Sequence, residues 1–133
     1  MERYVIDLEY ANKLKELGVK RSFDFKYVKT IEKYTEDTFE YAKNYTLKYT
    51  SSNLEFLNYD PEDVINAYTS DDLMTILPSH LDKKIGLKVS KETSGMYTVC
   101  YCGHQESMED LKLSNALAKL LIWCIENEYY KLD

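Results

Sequence analysis

Leu113 to Tyr129 reads LSNALAKLLIWCIENEY. Placed on a helix, Leu113, Leu117, Leu120, Leu121 and Cys124 fall along one face by the i, i+3, i+4, i+7 rule. Ala118, Ile122, Ile125 and Tyr129 fall along the next. Asn115, Lys119 and Glu126 make the only clean polar stripe. A helix that is apolar around roughly two thirds of its circumference is buried on more than one side. The stretch therefore predicts the core helix of a single domain spanning residues 1–133.

The rest of the chain reads outward from that helix. At the start, Asp7 can cap a helix over Leu8 to Leu17, with Gly18 as its left-handed stop. Phe23, Phe25 and Tyr27 alternate with Asp24, Lys26 and Val28 as a half-buried strand. Thr30 to Asn44 is charged and lacks Gly and Pro. Tyr34, Thr38 and Tyr41 predict a short amphipathic helix there, with a loop as the alternative. Tyr45, Leu47 and Tyr49 make a second strand, Ser51-Ser52-Asn53 a turn, and Leu54 to Tyr59 the returning strand. Val64 to Tyr68 reads as extended. Thr69 or Ser70 caps a helix carrying Leu73, Met74, Ile76 and Leu77, which Pro78 ends. Ile85, Leu87 and Val89 pair with Met96 to Cys102 as a hairpin, and His104 to Lys112 is a polar loop into the core helix. The order predicts an α+β fold, with an antiparallel sheet of short strands and hairpins and helices packed mainly on one face.

Composition bounds the function. The chain has 133 residues, enough for a real core. Net charge is −6, which argues against nucleic-acid binding through phosphate neutralisation. No apolar run is long enough for a membrane span, and MERYVIDLEY has no signal-peptide pattern, so a cytoplasmic protein is expected. Three cysteines do not make a disulfide framework. Tyrosine is abundant, 13 residues against four Phe and one Trp. Its apolar face and hydroxyl handle suit binding sites, although AT-rich coding also inflates it.

Candidate chemistry is sparse. Cys100, Cys102 and His104 form C-x-C-x-H, and on an extended strand all three would point one way. With His80 or Cys124 they would complete a soft four-ligand set for zinc. Buried cysteines acting as small hydrophobes are the commoner case, and no metal or other cofactor is expected. No base-and-orienter arrangement accompanies a nucleophile, and no glycine-rich phosphate loop occurs, so an enzyme is not expected. Trp123 borders the polar stripe beside Lys119 and is a candidate anchor for a base or a partner. Tyr97 and Tyr101 share one hairpin face. If that face is the outer one, the pair beside Lys88 is a further binding candidate.

IDLEYANKLKELGV, AYTSDDLMTILP and SNALAKLLIWCIENEYY together resemble a family of small phage and prophage proteins. Its members carry LAxxLKELG, TxxELLxxLP and ALAxLLIWLIEN in the same order. Cys124 stands where the pattern has Leu or Ala, and Thr30 to Asn44 looks like an insertion. The resemblance implies a mobile-element origin and a host-cytoplasm location, and it carries over no catalytic residue. The resulting expectation is a non-enzymatic phage-type binding protein acting as an anti-defence factor. It would sequester a small nucleotide-type signal or block a host protein. The alternatives are an oligomeric accessory protein of phage replication and an acidic nucleic-acid mimic. Converging Lys, Arg and Tyr side chains in a concave site favour sequestration, and a contiguous acidic convex face favours the mimic.

Overall fold

The computed structural model describes residues 4–21, 23–35, 40–49, 61–81, 85–104 and 106–132. Helix α1 is Leu8–Glu16, followed by strands β1 (Phe25–Thr35) and β2 (Glu40–Tyr49). A 3-10 turn at Pro61–Asp63 leads into β3 (Val64–Asn66) and helix α2 (Ser70–Ile76). Strands β4 (His80–Leu81), β5 (Ile85–Lys91), β6 (Tyr97–Tyr101) and β7 (Ser107–Asp110) precede the core helix α3 (Leu113–Glu126). The fold is α+β. The strands form two antiparallel sheets rather than one, in the orders β2-β1-β3 and β4-β5-β6-β7. The isolated bridge Val5↔Thr69 ties the N-terminal segment to the start of α2.

The expected core helix is the centre of the molecule. Helix α3 packs on β6, β7, α1 and α2. Ala116, Leu117, Ala118, Leu120, Leu121 and Cys124 are all fully buried. One apolar cluster joins them to Leu14 of α1, Leu73 of α2, Tyr27 and Ile65 of the first sheet, and Val99 and Tyr101 of the second. The polar stripe is solvated only at Glu126, however. Asn115 is only 3% exposed. It accepts from the Asp7 amide at 2.8 Å and donates to the Asp7 carboxylate at 2.8 Å. Lys119 is anchored by the Glu109 carbonyl at 2.8 Å and Asp110 Oδ2 at 3.0 Å.

Helix ends follow local chemistry. Asp7 stands at the N-cap of α1 with extended backbone, yet its carboxylate makes no cap bond, because Asn115 and Lys112 occupy it. Thr69 caps α2 in a reciprocal box with Asp72. At the end of α1, Gly18 takes φ +94°. Gly18 N–H donates to Lys15 O and Val19 N–H to Leu14 O, both at 3.0 Å, which is a Schellman closure. A Cβ at Gly18 would also meet Leu132 at 3.3 Å. Helix α3 closes the same way with Glu128 at φ 63°. There Glu128 N–H donates to Ile125 O at 3.2 Å and Tyr129 N–H to Cys124 O at 2.8 Å.

Two expectations about local structure are corrected. Thr30 to Asn44 is neither helix nor loop where it is described: Thr30 to Thr35 extends β1, and Glu40 to Asn44 opens β2. The pairing runs to Thr35↔Glu40, with a bulge between Ile31 and Lys33. Strand β3 pairs with Lys26 to Val28, so beyond Lys29 the ribbon is two-stranded among the described residues. Among the described residues no third strand there demands the apolar alternation that marks a half-buried strand. His104 to Lys112 is likewise not all loop, since Ser107–Asp110 adds β7 beside β6. The predicted turn at Ser51-Ser52-Asn53 and strand at Leu54 to Tyr59 lie outside the described residues.

Candidate functional site

The residues singled out for binding separate in the fold. Register places Lys88 opposite Cys100 and Val89 opposite Val99 on the β5–β6 ladder. Tyr97, Val99 and Tyr101 therefore form the inner face of β6, and Lys88 shares the outer face with Cys100. The proposed exposed pair of tyrosines beside Lys88 is corrected. Tyr101 is 1% exposed and donates to Pro78 O at 2.6 Å, while Tyr97 is half-buried against the core. Burial pushes the Tyr101 phenol up, and contact with Cys124 adds to this.

Trp123 is also partly buried. Its ring stacks on Tyr129 at 5.2 Å, and the His104 ring meets both edge-on, at 5.8 and 5.5 Å. That packing dissolves the C-x-C-x-H pattern. Strand β6 ends at Tyr101, Gly103 takes φ +89°, and the turn sends His104 to the end of α3. Cys102 is exposed and Cys124 buried, and burial pushes the Cys124 thiol up to about 11. The His80 side chain lies outside the described residues. Among the described residues no group of three or more His, Cys, Asp or Glu converges as metal ligands would.

A concave site lies elsewhere, beyond the end of α1. The Schellman turn at Gly18 projects Val19, Lys20 and Arg21 beyond α1. Two adjoining hollows share Gly18, Val19 and Lys20. One, about 420 Å³, is lined also by Lys15, Asn66 and Tyr68. The other, about 340 Å³, is lined also by Arg21, Tyr130 and Leu132. Both volumes fall within the roughly 300–1,000 Å³ of small-molecule sites.

A hydrogen-bond chain builds the wall of this cleft. Lys26, 5% exposed on β1, donates from Nζ to Phe23 O at 3.0 Å and Asn66 Oδ1 at 2.9 Å. Burial lowers its pKa against the pull of Asp24 and Asp72. Asn66 Nδ2 then donates to Arg21 O at 3.1 Å and the Tyr68 hydroxyl at 3.2 Å. Tyr68 donates to the same Arg21 carbonyl at 2.6 Å. Burial pushes the Tyr68 phenol up to about 12, so it stays a donor throughout the ordinary pH range. Arg21 lies over the Phe23 ring at 5.6 Å. Lys15 donates to Glu62 O at 3.2 Å and Val64 O at 3.0 Å. Lys20 is exposed and makes no ion pair among the described residues.

The cleft thus concentrates Lys15, Lys20 and Arg21 with Tyr68 and Tyr130, in a chain whose net charge is −6. Its sequence signal was the basic pair after the helix-ending glycine, G-V-K-R. Tyr130 had no signal, because only the fold brings the residues after α3 back over α1. No helix among the described residues is long and apolar enough to cross a membrane. Compared with protein-family models, curated proteins and solved structures, the chain has no match.

Proposed function

We propose that this protein is a non-enzymatic, phage-type binding protein that sequesters a small nucleotide-type anion in the cleft around Lys20 and Arg21. The observation that carries this reading is that Lys15, Lys20 and Arg21 line adjoining hollows with Tyr68 and Tyr130, Lys20 being exposed with no ion pair among the described residues, in a chain of net negative charge. Cations supply attraction for phosphate oxygens, and Arg offers a planar fork of donors. Tyr130 supplies an aromatic surface for a base. A cleft of this size admits a small ligand, and the negative net charge disfavours a long polyanion. The anti-defence role and the host-cytoplasm location rest on the resemblance to small phage proteins. Under that role, removing a signalling nucleotide from solution is the whole activity and needs no catalytic group.

Calorimetric titration with adenosine monophosphate and a cyclic dinucleotide, with inorganic phosphate as control, tests the reading. A saturable isotherm with at least one nucleotide is expected, weakened about tenfold or more by Lys20→Glu with Arg21→Glu at unchanged melting temperature. Absence of nucleotide binding, or binding indifferent to both reversals, overturns it.

A further inference from the structure

We infer that a second cleft, at the N-terminus of α3, binds a ligand that carries an oxyanion on a flat apolar body. This cleft, about 470 Å³, is lined by Tyr4, Ser70, Tyr97 and the helix-start residues Leu111, Lys112, Leu113 and Ser114. It shares no lining residue with the basic cleft.

Two independent observations meet there. The first is an open helix start. Helix α3 runs for 14 residues, and its N-cap residue, Lys112, provides no side-chain cap. The first bond back is from Ala116 N–H to Lys112 O at 3.1 Å. The amides of Leu113, Ser114 and Asn115 have no acceptor among the described residues. They carry the positive end of the helix dipole, an arrangement that favours anions. Helix starts usually place Ser, Thr, Asp or Asn at the cap, and here that position is a lysine.

The second observation is Ser114. The residue is 1% exposed, and its Oγ is buried with no hydrogen-bond partner among the described residues. A buried hydroxyl without a partner costs stability, and this one belongs to a residue lining the cleft. An oxyanion seated at the helix start would take the three amides and the hydroxyl together.

The surrounding charges and walls fit the same ligand. Carboxylates beside a helix start would repel an anion unless neutralised, and Asp7 and Asp110, whose Oδ1 also accepts from the Lys112 amide at 2.9 Å, are each paired. Asp7 holds Lys112 at 2.6 Å, and Asp110 holds Lys119 at 3.0 Å. Tyr97 is half-buried, whereas Tyr4 and Leu111 are 52% and 69% exposed. These groups line the cleft together with Ser114 and suit an aromatic body.

Amide chemical shifts of the full chain, titrated with phenyl phosphate, provide the test. Inorganic phosphate and benzoate run in parallel and distinguish a phosphate from a carboxylate head. Saturable shifts at Leu113, Ser114 and Asn115 are expected, with phenyl phosphate binding more tightly than inorganic phosphate. Ser114→Ala should weaken binding about tenfold, the loss of one strong hydrogen bond, while raising the melting temperature because the unpartnered hydroxyl is gone. Tyr130→Ala, in the other cleft, should leave this binding intact. Shifts that never saturate, or an unchanged affinity in Ser114→Ala, overturn the site. So does a lowered melting temperature in Ser114→Ala, which would mean the hydroxyl is already satisfied.

Discussion

Asp7 and Asn115 hydrogen-bond to each other twice across 108 residues, the Asp7 amide to Asn115 Oδ1 and Asn115 Nδ2 to the Asp7 carboxylate, both at 2.8 Å. The pair locks the start of α1 to the first turn of α3, and Lys112 completes it. Burial works upward on the Asp7 pKa, but the bonds from Lys112 and Asn115 outweigh it and hold it below 3.8. A carboxylate whose folded pKa is depressed contributes stability above its unfolded pKa and loses it as pH falls through the folded value. Thermal melts of wild type and Asp7→Asn should therefore differ by a constant amount above about pH 4 and converge below it. A gap that persists through pH 2 would show that the carboxylate charge is irrelevant. Asn115→Ala, which leaves buried donors unmet, should cost about 1–3 kcal/mol in urea unfolding.

Leu121→Ala should destabilise by about 2–5 kcal/mol, since Leu121 is fully buried in the central cluster. Lys119→Ala should cost about 1 kcal/mol through its two oxygen partners. That exceeds the near-zero effect expected of a simple solvated stripe. Urea midpoints of the two variants give the comparison directly. Equal midpoints would mean that the faces of α3 are misassigned.

Legibility followed burial. The core of α3 was readable because apolar residues repeat at helical spacing, and α2 was readable from Thr69 and the acidic turn behind it. The start of β1 and the end of β2 were readable from Phe25, Tyr27, Tyr45, Leu47 and Tyr49; Thr30 to Thr35 and Glu40 to Asn44 were not, because their charged sequence carries no apolar alternation and no third strand pairs with them among the described residues. Asn115 and Lys119 looked solvated because a helical wheel shows spacing but not the partner, and Asp7 lies 108 residues away from Asn115. Tyr97 and Tyr101 could face either way until the register of β5 and β6 fixed the inner side. The basic cleft depends on Tyr130 and Leu132 returning to α1, a tertiary relation that leaves no local pattern. The unpartnered hydroxyl of Ser114 is likewise invisible before the packing is known.

Glu128 sits at φ 63°, where α1 uses glycine for the same turn. A side chain in the left-handed region costs roughly 1 kcal/mol, and glycine avoids that cost. Glu128→Gly should therefore raise stability by up to about 1 kcal/mol, or leave it unchanged where glycine's greater unfolded freedom offsets the gain. Gly18→Ala should do the reverse, losing about 1 kcal/mol or more, with Leu132 adding to the strain. Chemical denaturation of both variants decides the matter. A destabilised Glu128→Gly would mean that the glutamate side chain has an unrecognised role.

Tyr68 joins stability to the basic cleft, and one substitution separates the two. Its hydroxyl donates to Arg21 O at 2.6 Å and accepts from Asn66. Tyr68→Phe keeps the ring in the core and removes only the hydroxyl, with its bond to Arg21 O and its acceptor for Asn66. It should cost about 1–2 kcal/mol by leaving a carbonyl short of a partner. Nucleotide affinity should fall as well, because the backbone that carries Arg21 loses a tether. The phenol adds a pH signature. Its folded pKa is raised to about 12 from 10, so its contribution is complete below pH 10 and is lost as pH rises toward 12. Wild type should therefore lose stability between those values faster than Tyr68→Phe does. Tyr101, also raised by burial, contributes equally to both proteins and cancels from the difference. Melts at pH 8, 10 and 11 with nucleotide titrations at pH 8 test both parts. Parallel alkaline losses would exclude Tyr68 as the titrating group. Unchanged nucleotide affinity in a destabilised Tyr68→Phe would limit the network to structural support of the fold.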